Sequence, residues 1–400
     1  MMDRQLRILS CCGRYGFGGG AEYMLHKMHR VLQARGHEVT VMSIARGAVG
    51  RTVLDGVTVL QQPVSFGREL LVQVKKLNPD IILCQWLRFS ASLVYWAAEQ
   101  HVPVVMMAHN PGNWPEIANV GLAEKVDLFI FNGPYLRDLA GRNVRHLIVT
   151  PPIEQERVLA ATRRPRYVTL VNLCEAKGAE IFYALAKRFP KHEFLGVEGG
   201  YNKQIRQDLK NVTIRKHSPD MRAVYGETRV LLMPSKFETY GMAGAEAQAN
   251  GIPVLATDLV ALRDALGDGA VYLPEGKIAA WTKALARLDQ PAYYARRVVQ
   301  ARANAARNGF DQDMQELDFV LHDLVRHRDS RVRPGVEGLL REHAALAAYI
   351  KDQFLQYVGR APTAGEVARV IESSDRPDDA LEALLEECTQ CTVRATAISG

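Results

Sequence analysis

The sequence lacks long apolar runs and has few cysteines, and each shortage excludes a class of protein. No apolar run reaches the roughly 18 residues that a membrane-spanning helix needs. Residues 1–13 contain too short an apolar core for a signal peptide. The six cysteines are scattered apart from Cys388 and Cys391, whose spacing suits zinc but lacks the further ligands that a structural site needs. We therefore predict free thiols and a cytoplasmic protein without a transmembrane segment.

The chain also lacks a large excess of either positive or negative charge. The formal net charge is +6 at pH 7, which permits an acidic partner without requiring one. Apolar residues make up 48% of the chain and charged residues 24%, as in a folded globular protein. Because 400 residues exceed one ordinary hydrophobic core, we predict two domains and a smaller addition.

Strand-like and helix-like stretches alternate along most of the chain. The first helical stretch, 21–35, ends at Gly36, and the alternation restarts at Tyr167 after a stretch rich in proline and arginine. Such alternation is typical of α/β proteins with mostly parallel, doubly wound sheets. The strand-like runs are 6–12, 37–44, 81–84, 102–108, 128–131, 147–150, 167–173, 194–197, 212–215, 230–233, 252–256 and 271–273.

Two glutamates, Glu238 and Glu246, have seven residues between them and lie in a segment whose pattern predicts a strand, a loop, a helix and a second strand. The helix ends at the stop signal Asn250-Gly251. Loop amides and the positive end of a helix favour phosphate, whereas carboxylates accept hydrogen bonds from hydroxyls. A site built from both predicts a ligand with phosphates and hydroxyls together, namely a nucleotide sugar.

A glycine cluster, Gly18, Gly19 and Gly20, lies between the first predicted strand and the first helix. Glycines there let the backbone approach a phosphate and leave free amides at the helix start. An NAD-binding loop is the rival interpretation, but it needs an acid near the end of the second strand, and 41–46 contains none. We therefore prefer the phosphate of a nucleotide sugar.

His109 ends the strand-like run 102–108, and strand ends in open α/β sheets face the ligand crevice. A lone histidine is often structural, but this position favours a functional role. Asn110, Trp114 and Glu116 follow in the same loop and are candidates for the acceptor side of the site. Trp114 fits a packing role equally well.

The sequence around the two glutamates resembles the Glu-x7-Glu signature of the family 4 retaining glycosyltransferases, which have the two-domain GT-B fold. The resemblance implies that Glu238 holds hydroxyls of the donor sugar near the reacting carbon. It also implies that the amides of Tyr240, Gly241 and Met242 face the sugar and phosphates, and that Glu246 binds the ribose. In this family the glycine-rich loop faces the donor diphosphate, and a histidine at the position of His109 touches the donor sugar or the acceptor.

Lys177 matches the lysine that follows the first strand of the second domain in this family. The family pairs that lysine with an arginine, and the two cations neutralise the departing diphosphate. Asn172 stands at the arginine position and can offer only neutral hydrogen bonds. The resemblance therefore predicts donor binding by Lys177 and Asn172 with one cation fewer.

The resemblance also implies a domain plan and a chemistry. It predicts an N-terminal acceptor domain over 1–160, a donor domain over 161–310 and a crossover region over 311–333, with a helical extension of unknown role over 334–400. It implies retention of anomeric configuration, no metal site and no cofactor, and a UDP-sugar as the co-substrate.

The acceptor is less clearly marked. The segments 170–178 and 129–132 resemble those of a subgroup found in tailed-phage and actinobacterial genomes. A phage origin suggests a hydroxymethylated pyrimidine base in DNA as the acceptor. It also suggests that the protein acts in the cytoplasm of the bacterial host. Arginines near the domain junction could hold a duplex backbone, although a solvated basic surface explains them equally well. An envelope lipid, polysaccharide or protein acceptor and an inactive sugar-nucleotide-binding scaffold are the alternatives. These arginines are at 137, 142, 145, 157, 163, 164 and 166.

Overall fold

The structure is a computed structural model and describes nine stretches of the chain. These are residues 4–16, 19–44, 49–62, 67–85, 90–111, 122–140, 144–200, 202–218 and 220–327. The predicted extension 334–400 and the pair Cys388 and Cys391 lie outside them, as do Gly18, Trp114 and Glu116. The four cysteines within these stretches are free and buried.

The first domain is built on an eight-stranded sheet with the strand order β3-β4-β2-β1-β5-β6-β7-β8. All neighbouring strands are parallel except β3 and β4, which form an antiparallel hairpin. The strands are β1 Arg7–Cys12, β2 Glu38–Ile44, β3 Gly50–Leu54, β4 Val57–Gln62, β5 Ile81–Gln85, β6 Val104–Ala108, β7 Leu128–Phe131 and β8 His146–Ile148. The helices are α1 Gly20–Ala34, α2 Gly67–Leu77, α3 Ser90–Glu99 and α4 Pro134–Leu139.

The β3–β4 hairpin is the part of this sheet that the periodicity did not predict. Its turn is Asp55-Gly56, with φ values of 48° and 85°. An Asp-Gly pair between β-rich runs is a strong signal for a two-residue hairpin, because both central residues need positive φ. The signal was therefore present in the sequence.

The second domain has a six-stranded, wholly parallel sheet with the order β11-β10-β9-β12-β13-β14. The strands are β9 Tyr167–Val171, β10 Glu193–Val197, β11 Val212–Arg215, β12 Thr228–Met233, β13 Val254–Thr257 and β14 Ala270–Leu273. The helices from the linker onward are α5 Gln155–Val158, α6 Ala179–Arg188, α7 Arg222–Glu227, α8 Met242–Ala249, α9 Val260–Leu266, α10 Ile278–Arg287, α11 Pro291–Ala305 and α12 Phe310–Arg326.

Each sheet changes winding direction at its first strand. β1 lies between β2 and β5, and β9 lies between β10 and β12. Ligands of open α/β sheets bind at the carboxyl ends of the strands beside such a switch point. The two doubly wound sheets confirm the predicted fold class, and they bring the loops after β1, β9 and β12 to one cleft.

The last described helix, α12, returns to the first domain. Phe310, Met314 and Leu321 are buried in the core that β1 and α1 also form. Asp318 adds polar contacts, accepting hydrogen bonds from His37 at 2.7 Å and Arg35 at 3.2 Å. The helix therefore follows the second domain in the chain and packs against the first sheet. No helix in the described stretches has the length and apolarity to cross a membrane.

Candidate active site

A cavity of about 440 Å³ lies between the two domains at the carboxyl ends of β1, β6, β9 and β12. Both domains contribute to its lining. The structure brings eight of the predicted site residues together there: Gly20, His109, Asn172, Lys177, Glu238, Tyr240, Gly241 and Met242. Residues that lie far apart in the chain therefore share one cavity, as a single ligand site requires.

Three predicted residues lie beside this cavity without lining it. Gly19 precedes the first residue of α1 in extended backbone, and Asn110 is exposed next to His109. Glu246 lies on α8 behind the cavity wall. Gly18, Trp114 and Glu116 cannot be placed because they lie outside the described stretches.

Lys177 and Glu238, which were predicted to bind different parts of the donor, form an ion pair. The Lys177 Nζ lies 2.5 Å from Glu238 Oε1, and the buried Ser235 hydroxyl donates to the same oxygen at 2.8 Å. The Lys177 side chain is 21% exposed and that of Glu238 10% exposed. The carboxylate is therefore held in a fixed orientation on the cavity wall, beside the cation expected to meet the diphosphate.

Gly178 allows the Lys177 turn to approach the loop that carries Glu238. Its φ is +75°, a left-handed conformation that follows a single 3₁₀ turn over Glu175–Lys177. A Cβ at this position would lie 2.2 Å from the carbonyl oxygen of Pro234. Any other residue would therefore separate Lys177 from Glu238.

Replacing Gly178 by alanine should both destabilise the donor domain and weaken nucleotide binding. Strain at a left-handed residue costs roughly 1–3 kcal/mol, and the clash with Pro234 adds to it. Gly276→Ala is a matched control because Gly276 has φ +66° with nothing within 4 Å of the added Cβ. We expect a larger drop in melting temperature for Gly178→Ala than for Gly276→Ala, with weaker UDP binding by calorimetry for Gly178→Ala alone. Equal effects of the two changes would show that the close approach to Pro234 is unimportant.

Asn172 adopts the left-handed conformation as well, with φ +70°. Asparagine tolerates this region better than a long or branched side chain does. Its Oδ1 accepts a hydrogen bond from Gln204 at 2.8 Å, and the residue is only 4% exposed. Its Nδ2 is buried without an acceptor among the described residues, so this neutral donor can serve a ligand oxygen. Lys177 is the cationic side chain in the described lining of the cavity.

The amino ends of two helices meet at the cavity, one from each domain. Gly20 begins α1 and Met242 begins α8, and a Cβ on Gly20 would lie 2.7 Å from the Met242 Sδ. Gly241, which precedes α8, has φ +94° and packs closely against Leu262. The first amides of a helix have no partner within it and carry partial positive charge. Together with Lys177 they form an environment suited to a diphosphate.

His109 faces the cavity as a neutral side chain. Burial lowers the pKa of the His109 imidazole to about 4, and its Nε2 is buried without a partner in the described part of the chain. At neutral pH the ring therefore carries no positive charge next to the predicted diphosphate. It can offer a hydrogen bond to a sugar hydroxyl or to the acceptor.

The low pKa of His109 predicts a stability that falls in acid. In the unfolded chain a histidine has a pKa near 6.5, so below that pH the unfolded state binds a proton that the folded state does not. The free energy of unfolding should decrease as the pH falls from about 6.5 towards 4. Buried His29, with a pKa lowered by burial to about 3, acts in the same direction. His109→Asn should flatten the pH dependence of the urea midpoint in this window, and a slope equal to that of the wild type would contradict the burial of the imidazole.

Glu246 contacts Tyr225, a residue that no sequence pattern had marked as part of the site. The buried Tyr225 hydroxyl donates to its Oε2 at 2.6 Å. Burial raises the pKa of the Glu246 carboxyl, while Tyr225 and the charge of Arg157 oppose that rise. The Arg157 guanidinium lies 3.9 Å from the centre of the Tyr23 ring on α1. Glu246 thus lies in a polar network that joins both domains, and the ribose role assigned to it stays a prediction.

Most arginines near the domain junction have partners inside the protein. Arg164 is exposed and Arg142 lies outside the described stretches. The other five have these partners: Arg137 with Asp138, Arg145 with Asp323, Arg157 with Glu154 and Tyr23, Arg163 with the carbonyls of Thr228 and Asn250, and Arg166 with Glu193 and Glu227. These partners offset part of the positive charge near the junction, although the ion pairs of Arg137, Arg145 and Arg166 are exposed and therefore weak.

Both halves of the chain match family models of known proteins. Residues 18–152 match the model described as Glycosyltransferase Family 4, and residues 164–290 match the model described as Glycosyl transferases group 1. The two matches fall on the first and second domains and include the glycine-rich loop, Lys177 and both glutamates.

The chain is also similar in sequence to two curated proteins and in fold to solved structures. The D-inositol 3-phosphate glycosyltransferase of Gordonia bronchialis is 33% identical over 97 residues, which are 24% of this chain and 21% of that protein. A second curated relative is matched over 14% of its length. Sucrose-phosphate synthase from Thermosynechococcus elongatus superposes with a TM-score of 0.67 at 16% identity, covering 80% of this chain and 99% of that one. Anabaena HepE in complex with UDP-glucose gives 0.66 at 14% identity, covering 80% and 100%. At these identities the superpositions establish the fold alone.

Proposed function

Because this chain belongs to family 4 of the glycosyltransferases and has the GT-B fold, we propose that it is a retaining enzyme that transfers a sugar from a UDP-sugar to an acceptor hydroxyl. The observation that carries the proposal is the Lys177–Glu238 pair, which lines a cavity between two helix amino ends. A site with fixed cation, amides and carboxylate suits a ligand that carries both phosphates and hydroxyls.

The roles of the residues follow from their chemistry. Lys177, the first amides of α1 and α8 and the Asn172 amide would bind the diphosphate and stabilise the charge that it gains on departure. Glu238 would accept hydrogen bonds from sugar hydroxyls and face the positive charge that develops on the sugar ring. Neutral His109 would bond a hydroxyl of the sugar or acceptor. No covalent intermediate is needed if the acceptor attacks from the face that the diphosphate leaves, and the departing diphosphate takes the acceptor's proton.

The donor nucleotide is proposed from similarity. The similar structure of HepE is a complex with UDP-glucose, and the cavity of this chain lies at the switch point of its second sheet. We therefore propose UDP-glucose as the first donor to test. No metal or cofactor takes part in the proposal, and the cytoplasmic location stays a prediction.

Two acceptor classes come from the sequence, namely a hydroxymethylated pyrimidine in DNA and an envelope lipid, polysaccharide or protein. The internal partners of five junction arginines favour the second class, since they offset part of the positive charge that a duplex would need. The DNA acceptor and the phage subgroup stay predictions that an assay can decide.

A transfer assay tests the proposal directly. The protein would be incubated with UDP-, GDP- and ADP-glucose, first without an acceptor and then with duplex DNA containing 5-hydroxymethylcytosine or with a mixture of simple saccharides. We expect release of UDP from UDP-glucose and a hexose mass on one acceptor by mass spectrometry, with the product anomer determined by NMR. Absence of both donor hydrolysis and transfer for all three donors would contradict the proposal, and an inverted anomer would contradict retention.

A further inference from the structure

A second cavity, of about 270 Å³, lies between the domains beside the first. Its walls come from the loop after β7, the linker after β8, the helices α8 and α9 and the end of α11. Three residues line both cavities: Asn132, Thr239 and Tyr240. Thr239 directly follows Glu238, so the wall that the two cavities share adjoins the predicted position of the donor sugar.

Asn132 in this shared wall has an unsatisfied polar atom. It follows the last residue of β7 and is 6% exposed. Its Nδ2 reaches Thr239 Oγ1 at 3.5 Å, and its Oδ1 is buried without a partner among the residues that the structure describes. Leaving such a buried group unpaired is unfavourable, because it loses its hydrogen bonds to water without gaining others. A ligand hydroxyl could donate to Oδ1 or accept from Nδ2, so it satisfies the amide whichever way the side chain is turned.

The described lining of the second cavity carries no net charge that would select a strongly charged ligand. Asp264 and Arg307 are the charged residues in its described lining, they have opposite signs, and both are exposed at the rim. The remaining lining mixes apolar side chains with amides and hydroxyls. The volume lies just below the roughly 300–1,000 Å³ of pockets for drug-sized ligands. An uncharged ring with hydroxyls on its edges and apolar faces, such as a saccharide unit, matches this wall.

We propose that the second cavity binds the acceptor as an uncharged saccharide unit, with Asn132 bonding one of its hydroxyls at the shared wall. The inference rests on the proposed function and names the acceptor class for it. In the reaction the acceptor oxygen forms a bond to the anomeric carbon of the donor. The bond from that carbon to the diphosphate breaks, the electron pair leaves with the diphosphate, and the acceptor's proton goes to the departing phosphate oxygen.

The test separates the second cavity from the donor site. Ala305, at the end of α11, lines the second cavity and not the first. Ala305→Trp should fill the second cavity, while Ala303→Trp on the exposed face of the same helix is the matched control. Saturation-transfer NMR on the full chain would use methyl α-D-glucopyranoside, maltose and 5-hydroxymethyl-2′-deoxycytidine as probes, without any donor.

We expect saccharide signals for the wild type and Ala303→Trp and at least a tenfold loss for Ala305→Trp, with UDP-glucose hydrolysis within about twofold of wild type in all three. Ala305→Leu replaces the tryptophan variant if its melting temperature shows that it does not fold. Equal saccharide signals in the filled variant and the wild type would overturn the proposal, as would binding of the nucleoside alone or of none of the probes. If saccharides bind as expected but UDP-glucose is neither hydrolysed nor used, the second site stands and the proposed function fails.

Discussion

Replacing Glu238 by glutamine should lower kcat/KM for sugar transfer by roughly 10- to 100-fold without unfolding the protein. A hydrogen bond to a charged group contributes roughly 1.5–3 kcal/mol, and each 1.4 kcal/mol is a factor of ten in rate. Glutamine keeps the size of the side chain but loses the charge that faces the sugar and pairs with Lys177. Steady-state kinetics with UDP-glucose, and melting temperatures for both proteins, would measure the effect.

Glu175→Gln is a matched control for this change. Glu175 is exposed in the same turn that carries Lys177, and it pairs with Lys236 at 2.8 Å on the outer side of the loop. Exposed ion pairs contribute little, so we expect kcat/KM within about twofold of wild type. Full activity in the Glu238→Gln variant would show that Glu238 lies outside the reacting centre, and a comparable loss in Glu175→Gln would assign the effect to the loop as a whole.

Replacing Lys177 by methionine should lower kcat by roughly 100-fold and also weaken the binding of UDP. Removing one preorganised donor from a site that stabilises developing negative charge typically costs about 100- to 1,000-fold in kcat. The effect should be large in this chain because the family arginine is replaced by Asn172, which carries no charge. Kinetics with UDP-glucose and calorimetric titration with UDP would measure the two effects.

The Lys177–Glu238 pair gives the two variants opposite signs for nucleotide binding. In Glu238→Gln the ammonium of Lys177 loses the charge of its carboxylate partner and can interact more strongly with phosphate, so this variant should bind UDP as well as or better than wild type. Lys177→Met should bind it less well, and exposed Lys236→Met should not differ from wild type. A higher KM with an unchanged kcat in Lys177→Met would mean that the lysine binds ground state and transition state equally. That result would remove it from the chemical step.

The sequence by itself determined the class of fold and most of the local site elements. The alternation of strands and helices predicted two doubly wound sheets, and the β9 loop with Lys177 and the loop–helix segment with Glu238 lie where the pattern placed them. These features are local in the chain. Helix stops, glycine positions and the order of apolar runs each depend on residues that are close together in the sequence. The same pattern could have predicted the β3–β4 hairpin from its Asp-Gly turn.

Only the tertiary structure decided which of these residues meet. Lys177 and Glu238 are 61 residues apart, and they pair because β9 and β12 are neighbours in the second sheet and Gly178 permits a close approach. Asn132 reaches Thr239 across the two domains, over 107 residues of chain. Glu246 faces Tyr225 and Arg157 and does not line the cavity, although the sequence pattern placed it in one ligand site with Glu238. Strand order and domain packing set such contacts, and neither is expressed in any local pattern of the sequence.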